Sequence, residues 1–113
     1  MKKIAFISAV LFFSLSTTVL AAFEEHVDEA LNHVKQAAEH GKAGHAKILV
    51  EHAKLAEDHI LAASLEVKGA AKGHLDAAAK SIQDAVDHGE LGHTDVALKA
   101  VAQTAEHLNA SKK

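Results

Sequence analysis

Val27, Ala30, Leu31, Val34, Ala37 and Ala38 are apolar at steps of three and four residues, while Asp28, Glu29, Asn32, Lys35, Gln36 and Glu39 fill the places between them. That spacing puts the first set on one face of a helix and the second on the other, with the near-heptad period of a bundle helix. With no proline and with abundant Ala, Leu, Lys, Glu and Gln, the helical reading runs along the chain and only glycines punctuate it. The six glycines fall in three pairs, Gly41 with Gly44, Gly69 with Gly73 and Gly89 with Gly92. They predict four helices, roughly 24–40, 45–67, 72–88 and 93–109. In HGKAGH the first glycine is expected to take the left-handed position that ends a helix, and the second to stand where the next one begins. So short a connection permits only an antiparallel hairpin.

A shift of 48 residues lays His26 on His74, His40 on His88, His45 on His93 and His59 on His107, and HGKAGH on HGELGH. Asp28 then coincides with Asp76 and Ala37 with Ala85. The chain is a duplicated helical hairpin, residues 24–67 and 72–109. Two such hairpins, each with one apolar face, predict an all-α, antiparallel four-helix bundle.

The first residues stand apart. MKKIAFISAVLFFSLSTTVLAA carries two lysines, an apolar run from Ile4 to Leu15, a polar SLSTT segment and small residues after it, the pattern of a secretory signal peptide. Cleavage after Ala21 leaves Val19 three places before the cut, and the run is shorter than the roughly 20 apolar residues of a membrane anchor. The expected division is residues 1–21 as signal peptide and 22–113 as a single exported, periplasmic domain, with no membrane attachment once the leader is removed.

Without Lys2 and Lys3 the net charge of −3 becomes −5, the wrong sign for a nucleic acid or an anionic membrane. There is no cysteine, so neither a disulfide nor a thiolate ligand is available. Phe23 is the one aromatic carbocycle after the leader, which leaves a core of Ala, Val, Leu and Ile with little area per residue. A second source of cohesion would matter to such a domain.

Histidine is the residue in excess, ten in all. His26, His33, His40, His45, His52 and His59 run in steps of seven that break at HGKAGH and resume, and His74, His88, His93 and His107 repeat the frame. Seven residues of helix rise about 10.5 Å, too far for one ion bound at about 2.0–2.1 Å. Folding back changes this. His40 with His45, His33 with His52, and His26 with His59 lie at equal distances along the chain from the turn, so they form three rungs across the first hairpin. In the second, His88 with His93 and His74 with His107 make two rungs, and Ser81 and Ala100 occupy the middle one. Helix axes about 8–10 Å apart let facing imidazoles close on one ion. Glu29 and Asp84 stand four residues before His33 and His88, placed to complete coordination or orient a ring. Glu25, Glu39, Glu51, Asp58, Asp87 and Glu106 directly precede histidines and point about 100° round the helix, where they add only general negative field.

HVDEALNHVKQAAEHGKAGHAKILVEHAKLAEDH, with its weaker copy HLDAAAKSIQDAVDHGELGHTDVALKAVAQTAEHL, resembles the small metal-binding protein (SmbP) family. The resemblance covers essentially all of residues 22–113. It implies a periplasmic four-helix protein that binds divalent transition metals, Cu(II) foremost, through the ten histidines, with a part in copper handling. The family pattern is denser in histidine, and Ser81 and Ala100 interrupt it here.

Imidazole and carboxylate donors without sulfur suit Cu(II), then Zn(II) or Ni(II), rather than Cu(I). The reading is a non-enzymatic protein that buffers or sequesters divalent ions, with no nucleic-acid partner and no protein partner that the sequence names. The rival is a periplasmic helical chaperone or adaptor in which the histidines are incidental. A haem protein lacks its CxxCH and its methionine, a di-iron protein its paired ExxH motifs. No serine stands with a base and an orienting acid for hydrolysis.

Overall fold

The computed structural model describes the backbone of residues 2–113 and the side chains of residues 20–113. All but Leu20 and Ala21 of the expected leader, residues 1–21, lie outside the described side chains. Four helices follow one another: α1 (Lys2–Lys42), α2 (Ala46–Ser64), α3 (Gly69–Glu90) and α4 (Thr94–Ser111). α1 packs on α2, α2 on α3, α3 on α4 and α4 back on α1, so the expected up-and-down bundle of two hairpins is what forms. In that ring the α1/α2 seam and the α3/α4 seam lie on opposite sides. Among the described residues no helix is long and apolar enough to cross a membrane.

The apolar stripe predicted for α1 is inward-facing at Val27, Ala30, Val34 and Ala37, all buried. Leu31 and Ala38 are only partly covered, because they border a groove of about 330 Å³ between α1 and α4, opposite Leu98, Val101 and Ala105. Leu49, Ile60, Leu75, Ile82 and Leu108 are the largest fully buried apolar side chains from the other three helices, and alanines fill most places between them. The small layers let the helices approach closely. Thr104, fully buried, satisfies its hydroxyl by donating to the Ala100 carbonyl at 2.8 Å.

The helix ends correct the predicted role of the glycines. α1 runs on through Gly41 to Lys42, and the left-handed residue is the second glycine, Gly44, with φ 84°. Gly92 repeats this with φ 77°, and Gly89 remains helical. In each turn the N–H of the left-handed glycine donates to the glycine three residues earlier, Gly44 to Gly41 and Gly92 to Gly89, both at 3.0 Å. The next N–H reaches back five residues, His45 to His40 and His93 to His88, both at 2.8 Å. This is a Schellman motif, which closes the orphan carbonyls of the helix end. The first glycine has a different task. A Cβ on Gly41 would lie 2.6 Å from Leu49 Cδ1, and one on Gly89 2.6 Å from Val50 Cγ2, so both mark places where a helix presses against its neighbour.

Between the hairpins, α2 stops at Ser64 and α3 begins at Gly69, each three residues earlier than the expected 67 and 72. Gly69 takes the left-handed conformation, φ 70°, whereas Gly73 is absorbed into α3. Good helix formers at Ala70, Ala71 and Lys72 outweigh the roughly 1 kcal/mol that one glycine costs a helix. Across this junction Lys72 Nζ donates to Ser64 Oγ and Ser64 Oγ to Asp76 Oδ1, each at 2.9 Å.

Candidate metal centre

The Schellman turn creates the first rung by itself. Its two outer residues, five apart and joined by a backbone hydrogen bond, are His40 and His45, whose ring centres lie 5.8 Å apart; His88 and His93 repeat this at 5.9 Å. Further down the first hairpin His33 faces His52 with Nδ1 atoms 3.2 Å apart, and His26 faces His59 with Nδ1 atoms 3.1 Å apart. In the second, His74 and His107 pair with ring centres at 6.2 Å. All ten histidines therefore meet the partners that counting from the turn assigns. His45 and His93 are exposed, and the other eight are half-buried along the seams.

The first hairpin holds contacts the counting did not foresee. His33 stacks on His59 at 5.8 Å, planes 12° apart, and His40 on His52 at 5.7 Å, planes 8° apart. Rungs and diagonals are nearly equal in length, so the six rings make one unbroken zigzag: His45, His40, His52, His33, His59, His26. The cause lies in the direction of the side chains. Each Cβ leans toward its own helix N-terminus, which in α1 is away from the turn and in α2 is toward it. The rings of α1 therefore drop and those of α2 rise, until each interior ring sits between two neighbours. In the second hairpin Ser81 and Ala100, 8 % and 6 % exposed, break the series and leave two isolated rungs.

The model of the family described as small metal-binding protein matches residues 1–111. The chain belongs to the small metal-binding protein family. No curated protein matches it.

Whether the histidines of this family member suit a metal ion can be judged from the nitrogen positions. Two nitrogens bound to one ion at about 2.0–2.1 Å, with about 90–110° between the bonds, lie about 2.8–3.4 Å apart. The 3.1 and 3.2 Å gaps of the two facing Nδ1 pairs fall inside that window. Without an ion, such a pair is held by a single N–H donating to a lone pair, which requires both rings neutral or one of them protonated; two protonated rings would oppose two N–H groups. His88 Nδ1 is buried and has no hydrogen-bond partner.

The carboxylates divide as their spacing predicts except at Asp84. Glu25, Glu39, Glu51, Asp58, Asp87 and Glu106 are all exposed. Glu29, four residues before His33, is brought together with His33 and His59, the donor atoms of the three lying within 4.8 Å of one another. Among the described residues no other three histidines or acids converge so closely, and Asp84 is not drawn into such a group with His88. The trio bridges a diagonal. Sequence counting could have found it by adding the backward lean of the side chains to the helical heights.

Charge follows the geometry at two places. Burial lowers the pKa of His33, the neighbouring His52 and His59 lower it further, and Glu29 opposes them. Glu57 lies on α2 away from the ladder; burial raises its carboxyl pKa, as do Asp58 and Asp87, against Lys54.

Proposed function

We propose that this chain is exported to the periplasm, loses residues 1–21, and there binds and buffers divalent transition metal ions without catalysing a reaction. The observation that carries this reading is the two pairs of facing Nδ1 atoms, 3.1 and 3.2 Å apart, separations suited to two nitrogens on one small cation. Membership of a small metal-binding protein family supports the ligand class. The donors are imidazole and carboxylate alone, so Cu(II) comes first by the Irving–Williams order, with Zn(II) or Ni(II) behind it. All ten histidines, His26, His33, His40, His45, His52, His59, His74, His88, His93 and His107, are the proposed ligands, taken in pairs.

Metal analysis of the protein drawn from the periplasm with its ions left in place tests this, followed by titration of the stripped protein with Cu(II), Ni(II) and Zn(II). The expected result is bound ion in the isolated protein, tightest binding for Cu(II), and loss of binding when facing histidines are replaced in pairs. Unchanged Cu(II) binding after replacement of His26, His33, His52 and His59 by alanine would refute the reading. Mass spectrometry of the exported protein checks the cut after Ala21.

A further inference from the structure

We infer that the first hairpin takes ions in two mutually exclusive registers, and that the first ion enters across a diagonal, on Glu29, His33 and His59, rather than on a rung. The inference rests on the proposed metal binding and specifies how that site fills.

A neutral imidazole has one free lone pair, so each ring serves one ion at a time. In the zigzag His33 lies against both His52 and His59, and His59 against both His33 and His26. An ion on His33 and His59 therefore takes one ring from each of two rungs. It leaves His52 to pair with His40, and His26 and His45 at the ends with no partner. This diagonal register holds two ions. The rung register, His26 with His59, His33 with His52 and His40 with His45, holds three. No ring can take part in both at once, so adding the third ion obliges the earlier ones to change ligands.

Glu29 decides which register fills first. It gives the diagonal a third donor and a negative charge where a rung has two neutral nitrogens. The residue in the same place before His40 is Gln36, so the other diagonal lacks this acid. Glu29 is exposed, and drawing its carboxylate onto the ion costs only the freedom of one side chain. Scarce metal thus meets one site with three protein donors, and abundant metal meets three looser pairs. The second hairpin has no such exchange, because Ser81 and Ala100 separate His74 and His107 from His88 and His93.

The test is a calorimetric titration of the full chain with Cu(II) in a non-coordinating buffer, with paramagnetic broadening of the histidine resonances followed at substoichiometric Cu(II). Glu29→Gln is expected to weaken the first ion by at least about tenfold, the lower bound for losing even an outer partner of a ligand. It should shift the earliest broadening away from His33 and His59 and leave the saturating number of ions unchanged. His26→Ala, which removes a rung partner of His59 and no donor of the diagonal, should not weaken the first ion and should remove one ion at saturation. Unchanged first-ion affinity and unchanged broadening in Glu29→Gln would overturn the inference, as would a first ion weakened by His26→Ala as much as by Glu29→Gln. Absence of histidine-dependent Cu(II) binding in the unsubstituted chain would instead refute the proposed function.

Discussion

His52 lies with its ring plane 8° from that of His40, the histidine of the next rung, while it also faces His33 across its own. This contact turns three separate rungs into one continuous row, and it depends on having no gap in the row. Where Ser81 and Ala100 stand, the row is cut.

Replacing Ser81 and Ala100 together by histidine should join the second hairpin's two rungs into a row like the first. Both positions are nearly covered by the bundle, but the rings at the matching His33 and His52 lean out along the seam and remain half-buried, so the larger side chain has an exit. Calorimetric titration with Cu(II) should count one more bound ion than in the unsubstituted chain. No gain, with the fold intact by circular dichroism, would mean that a paired imidazole is not sufficient for a site.

The metal-free fold should weaken as the medium acidifies. Burial and two neighbouring histidines hold the His33 pKa below its ordinary value of 6.5. The unfolded chain then takes up the proton at a higher pH than the folded one, so stability is full above the ordinary value and falls as the pH drops through the folded one. Melting temperatures taken from pH 8 to pH 5 should decline, and His33→Gln should flatten the decline. A melt equally pH-dependent in that variant would remove His33 from the account.

Glu57 has the opposite sign. Its folded pKa is raised, by burial first and then by Asp58 and Asp87, so its contribution is present below the ordinary carboxylate value and lost as the pH rises through the folded one. Glu57→Gln should therefore raise the urea midpoint at pH 7 and leave it nearly unchanged at pH 4. The gain will be modest, since solvent screens a group this open.

Glycine substitutions separate packing from propensity. Val50 is β-branched and stiff about χ1, and its Cγ2 would meet a new Cβ on Gly89 at 2.6 Å. Gly89→Ala should destabilise the bundle by roughly 1–3 kcal/mol. Gly73 is helical with nothing within 4 Å of an added Cβ, and Gly73→Ala should stabilise by roughly 0.4–1 kcal/mol. Denaturant melts of the two variants against the parent read both signs.

Metal should stabilise a preformed ladder. An ion that binds the folded chain alone, at a free concentration 100 times its dissociation constant, adds about 2.7 kcal/mol. The melting temperature should rise with Cu(II). If confirmed binding leaves it unmoved, the unfolded histidines bind as well as the folded ones.

The helix count, the antiparallel hairpins and the partner of each histidine were legible in the sequence because all three follow from spacing along a regular helix. What escaped it depends on atoms beyond the Cα trace. Spacing cannot say which glycine of HGKAGH becomes left-handed, because either one permits it; the choice falls on Gly44 since Gly41 is needed where Leu49 comes close. Nor does the height of a residue give the height of its ring. His33 and His59 belong to different rungs by number and meet only because side chains in antiparallel helices lean in opposite directions. Glu29 was visible as the acid before His33, but its place beside His59 required that lean.

The terminal pairs, His40 with His45 and His88 with His93, owe their position to hydrogen bonds within a six-residue turn rather than to the interior of the bundle. HGKAGH and HGELGH share only their histidines and glycines, and they set ring centres at 5.8 and 5.9 Å. The motif is thus a transplantable cassette: a helical hairpin of unrelated sequence whose connection is rewritten as His-Gly-x-x-Gly-His would acquire two juxtaposed imidazoles at its tip, wherever its neighbours leave room for the first glycine.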